Sequence, residues 1–113
     1  MKLEEMTKEE RSLLLYLETC SVEHGGTVES RCMNTDDFET AKQWERDGFI
    51  DFGRITMKDC EHSRSHGRAS THWVVLSSQA WELAHQERKA RFERIYAKRW
   101  WTTTKEKRER AAV

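Results

Sequence analysis

The chain has 113 residues, 20 basic and 20 acidic, and a formal net charge of zero. That length supports one domain and little more, and five Trp, four Phe and two Tyr supply large side chains for a core, which excludes a wholly disordered chain. At 36% hydrophobic and 35% charged it is polar for a globular protein, and no apolar run approaches the roughly 18 residues that span a bilayer.

Met1–Glu10 is acidic and lacks the apolar stretch of a secretory leader. Three cysteines with no paired short spacing make a poor disulfide framework, so a reducing cytoplasm is the expected compartment. Thr7-Lys8-Glu9-Glu10 is a capping box: the Thr7 hydroxyl accepts the Glu10 N–H, and the Glu10 carboxylate reaches back to the Thr7 N–H. The helix that follows buries Leu13, Leu14, Leu17 and Cys20, which keep three-four spacing. Gly25-Gly26 stops it, Thr27-Val28 is a short extended piece, and Glu29–Met33 forms a brief second helix.

Asn34 or Thr35 caps the next helix, whose N-terminal Asp36 and Asp37 suit the positive end of the dipole. Phe38, Ala41, Trp44 and Glu45 mark its inner side, and Asp47-Gly48 ends it. Phe49–Ile55 reads as a strand, residues 56–71 as a long flexible polar loop, and His72–Leu76 as a second strand, so the three make an antiparallel hairpin with a long tip. Ser77 or Ser78 caps a last helix from about residue 79 to about 101. Trp81, His85, Arg88, Phe92, Ile95 and Arg99 form a seam along it, at alternating four-three spacing. The seam packs either on its own domain or, in its far half, on a second copy of the chain. An isolated polar helix gains little from propensity alone, so a homodimer is expected, with Trp81, His85, Arg88, Phe92, Ile95, Tyr96 and Trp100 at its interface. The expected divisions are residues 1–84 as a folded domain, 85–101 as a helical extension and 102–113 as a charged tail.

Charge is distributed unevenly: residues 1–50 sum to −6, residues 51–84 to zero and residues 85–113 to +6. Such a basic end meets nucleic acid, the acidic half of the same chain or that of a second copy. Lys98, Arg99, Lys105, Lys107, Arg108 and Arg110 surround Trp100 and Trp101 there. That mixture suits single-stranded nucleic acid or a membrane interface, although burial of the indoles in a dimer core is the simpler expectation.

The order helix, short strand, short helix, helix, strand, long loop, strand, helix resembles a winged helix-turn-helix domain. Gly26-Thr27-Val28, Phe38…Trp44…Asp47-Gly48-Phe49-Ile50, and Trp73-Val74-Val75-Leu76-Ser77…Trp81-Glu82-Leu83-Ala84 carry the resemblance, which covers about residues 8–84. The last pattern is similar to the ending of regulators of the MarR, PadR and ArsR type, and the whole resembles small proteins of bacteria and their phages. The resemblance implies a mainly α fold with a small antiparallel β-hairpin and a long C-terminal helix. It also implies double-stranded DNA as partner, with a recognition helix at roughly Thr35–Asp47 in the major groove and the hairpin on the backbone. Thr35, Thr40, Gln43 and Arg46 would then face the DNA. Gln43 suits adenine, and Arg46 suits guanine or phosphate. Arg54, Lys58, Arg64, His66 and Arg68 would hold phosphate from the hairpin. Asp36, Asp37 and Glu39 repel phosphate, and so leave open a second expectation, a phage-like module that offers an acidic helix to a basic host protein.

Two loose Cys/His groups, Cys20 with His24 and Cys32, and Cys60 with His62 and His66, lack the tight paired spacing of a zinc site. Cys20 and Cys32 are expected as small core residues. No catalytic motif stands out, so the expectation is a non-enzyme without cofactor or metal.

Overall fold

A computed structural model describes residues 1–97. The described residues form four α-helices and three strands: α1 (Lys8–Glu23), β1 (Thr27–Val28), α2 (Thr35–Arg46), β2 (Ile50–Arg54), α3 (Met57–Ser65), β3 (His72–Leu76) and α4 (Ser78–Phe92). Short 3-10 turns lie at Leu3–Glu5 and Ser30–Cys32, and Glu93–Ala97 continues α4 as a π turn. The fold is thus mainly helical with one small antiparallel sheet of order β1-β3-β2.

Local chemistry sets the helix boundaries. Thr7 and Glu10 make a reciprocal capping box at α1, and Asn34 and Asp37 make another at α2. Ser77 caps α4 by accepting the Ala80 N–H. Past α1, Gly25 and Gly26 take positive φ values of 63° and 91°, which turns the chain into β1. The position of Gly26 leaves no room for a side chain, since a Cβ there would stand 2.8 Å from the Val74 carbonyl oxygen.

The sheet register sorts the residues by face. Ile50 and Phe52 lie opposite Leu76 and Val74 and point inward, Arg54 lies opposite His72 at the exposed end of the same face, and Asp51 and Gly53 lie opposite Val75 and Trp73 on the outer face. One core joins Leu13, Leu14 and Leu17 of α1, Ala41 and Trp44 of α2, the inner sheet residues, and Ala80, Leu83 and Ala84 of α4. Phe38 and Trp81 pack on its margin. Glu45 is exposed and does not share the inner side of α2 with Trp44. Cys20 is buried as expected, but Cys32 is exposed and lies outside the core.

The segment 56–71 is not a flexible loop. It contains α3, capped by Thr56, whose hydroxyl accepts the Asp59 N–H at 3.1 Å. Its far end is also tied down. The Ser63 hydroxyl donates to the Arg68 carbonyl at 3.0 Å and accepts the Ser70 N–H at 3.2 Å. The last helix begins at Ser78, is α-helical to Phe92 and continues as a π turn to Ala97, and the remainder of its expected span, residues 98–101, lies outside the described residues. Arg99, Trp100, Trp101 and the charged tail lie outside the described residues.

Candidate nucleic-acid interface

With Ala41 and Trp44 buried, α2 presents Thr35, Asp36, Glu39, Lys42, Gln43 and Arg46 to solvent, while Thr40 is half-buried. The two ends of the helix differ in charge. Asp36 and Glu39 face outward near its start, whereas Asp37 turns back to accept the Asn34 N–H at 3.1 Å. Gln43 stands between two charges: its amide donates to Asp47 Oδ1 at 2.9 Å, and its carbonyl accepts from Arg46 Nη2 at 2.7 Å. Both expected base readers therefore already bond each other at the exposed surface.

Next to α2 stands the end of the hairpin that leads into α3. His72 lies opposite Arg54 in the register, stacks on Phe52 with ring centroids 5.2 Å apart and 6° between planes, and also meets Phe38 at 5.2 Å. Burial among these rings, together with the positive charges of Arg54 and Lys42, holds the His72 imidazole below its ordinary pKa. The positions of the three groups follow from simple rules. Arg54 shares the inner face of β2 with Phe52, two residues earlier, and Lys42 lies one turn beyond Phe38 on α2. The sequence reading missed Lys42 and His72. Their proximity depends on Phe38 of α2 packing against the hairpin, a tertiary contact that the local pattern does not report.

The other expected phosphate ligands occupy distinct settings. Arg54, Lys58, Arg64 and His66 are exposed, and the last three belong to α3 and its C-cap. His66 Nδ1 donates to the His62 carbonyl at 2.9 Å. Arg68 is not part of a free tip. Its guanidinium donates to the Thr27 carbonyl at 3.1 Å and to the Ser70 hydroxyl at 3.3 Å, which ties the chain after α3 to β1. Glu29 completes that tie by accepting the Ala69 N–H at 3.1 Å and the Arg31 Nε–H at 3.0 Å, and the two bonds hold its carboxyl below the usual range.

On α4 the near half of the expected dimer seam is engaged within the chain. Glu18 of α1 is 3% exposed. It accepts from Arg88 Nε through one oxygen and faces His85 Nε2 at 3.4 Å through the other. Arg88 also reaches the Leu15 carbonyl at 3.1 Å and the Thr19 hydroxyl at 2.6 Å, and Trp81 packs on the core margin. Phe92, Ile95 and Tyr96 remain exposed. Among the described residues, no three His, Cys, Asp or Glu side chains converge as a metal site would need, and no helix is long and apolar enough to cross a membrane. Comparison with protein families, with curated proteins and with solved structures gave no match to this chain.

Proposed function

We propose that the chain is a winged-helix protein that binds duplex DNA as a homodimer and acts as a small transcriptional regulator without catalysis. One observation carries this reading. The sheet order β1-β3-β2, with Phe38 of α2 packed on Phe52 and His72, sets α2 against the hairpin. A helix flanked by a hairpin would suit a major groove and its bordering phosphates. Gln43 and Arg46 would read base edges once DNA displaces their mutual hydrogen bond. Lys42, Arg54, Lys58 and Arg64 would meet phosphate, and Arg68 serves the fold instead. The exposed Phe92, Ile95 and Tyr96 support a second copy against the end of α4.

A second reading rests on Asp36 and Glu39, which face outward on the same helix. They suit a phage-like module that presents an acidic surface to a basic host protein in place of nucleic acid. Fluorescence anisotropy of a labelled random-sequence duplex, at low and moderate salt, separates the two. Binding that weakens steeply with salt supports phosphate contact, and no binding at low salt removes general DNA affinity and leaves the second reading.

A further inference from the structure

We propose that Lys42, Arg54 and His72 form one phosphate-binding site at the junction of α2 with the hairpin, and that His72 takes up a proton from solvent when the site fills. The inference rests on the DNA reading for its macromolecular partner, but its chemistry belongs to the three side chains.

His72 is placed to report on its neighbours. Its ring is held flat on Phe52 and against Phe38, so it cannot easily swing away from a change in local charge. Val28 of β1 lies opposite on one side and Arg54 of β2 on the other, and from α2 the charged neighbour is Lys42. Two cations therefore face the imidazole, and both oppose its protonation. Nδ1 is already engaged: it lies 2.7 Å from the Thr71 hydroxyl, which accepts the Ser30 N–H at 3.1 Å. The Thr71 hydroxyl can donate its hydrogen to Nδ1 or accept an Nδ1–H through its second lone pair, so this contact persists in both protonation states of the ring.

Burial is the larger cause of the lowered His72 pKa and the two cations add to it, and a phosphate held between the Lys42 ammonium and the Arg54 guanidinium offsets the part that the cations supply. The imidazolium then adds a third positive group to the same anion. By linkage, an anion that draws in a proton binds more tightly as pH falls, by at most about tenfold per pH unit for one proton. Free phosphate and a DNA phosphodiester share this chemistry, so both serve as probes.

The test follows the five histidine side chains of the full chain by NMR as pH is varied, alone, with inorganic phosphate and with a random-sequence duplex. Duplex affinity is measured alongside at about pH 6 and about pH 7.5 at constant salt. The expected result is that the His72 titration moves to higher pH with either probe. Duplex affinity should also rise about threefold to tenfold on acidification in the wild type and in His62→Gln, and lose most of that rise in His72→Gln. The wild-type titration decides the matter even if His72→Gln fails to fold. A duplex that binds without moving His72 overturns this site and leaves DNA binding standing. Phosphate that moves His72 while no duplex binds supports the site and overturns the DNA reading. No effect of either probe overturns both.

Discussion

Arg88 makes the burial of Glu18 tolerable. A carboxylate that is 3% exposed needs a charge partner, and Arg88 supplies one while also reaching the Leu15 carbonyl and Thr19. Replacing Arg88 with Ala should therefore destabilise the fold by about 2–4 kcal/mol in urea unfolding, since it strands the charge. The double variant Glu18→Leu with Arg88→Leu should recover most of that loss. If the single variant matches the wild type, the pair has no structural weight. Gly26 is a second such residue. Its positive φ and the 2.8 Å approach to the Val74 carbonyl predict a loss of about 2–4 kcal/mol for Gly26→Ala, read by the same unfolding curve. Residues of this kind differ in how far the sequence reveals them. Gly25-Gly26 announces itself as a helix stop. Glu18 does not, because nothing local says that an acid among leucines will meet a cation seventy positions later.

At the scale of elements, capping chemistry was the most legible feature. Thr7 with Glu10 starts α1 as the local pattern predicts, and of the paired candidates Asn34/Thr35 and Ser77/Ser78 the caps are Asn34 and Ser77. The α3 helix was missed because Met57–Ser65 has almost no apolar periodicity, and periodicity is the usual sign of a helix packed by one face. Its start was still written in Thr56 and Asp59, and its stop in Gly67, which has a φ of 80°. The carboxylates that join elements bring a pH dependence. Glu29 is held low by the Ala69 N–H and Arg31. For Glu87, burial works the other way, but its bonds from Arg91 and Arg94 outweigh it and hold it low as well. A depressed carboxyl pKa stabilises the fold above the unfolded value and loses that contribution as pH falls through the folded one. The urea midpoint should therefore hold above about pH 5 and drop below about pH 4. In Glu29→Gln that acid-dependent drop should be shallower. The exposed end of α4 makes a separate prediction. Light scattering should give a dimer mass for the wild type and a monomer mass for the pair Phe92→Glu with Ile95→Glu, whereas a wild-type monomer would contradict dimerisation through this end.

For the whole molecule, the sheet order and its register bring α2 and the hairpin together, and this juxtaposition makes a surface that neither element has alone. The strands were legible because Ile50–Arg54 and His72–Leu76 alternate or concentrate β-branched and aromatic residues. The pairing of Lys42 with Arg54 and His72 was not, since it depends on how α2 packs on the sheet. The most direct test is to map backbone amide shifts on adding a random-sequence duplex at low salt. Perturbations should concentrate on the exposed side of α2, from Thr35 to Arg46, and on Arg54 and His72. Shifts confined to α4, or absent at saturating duplex, would contradict a DNA-binding face built from α2 and the hairpin.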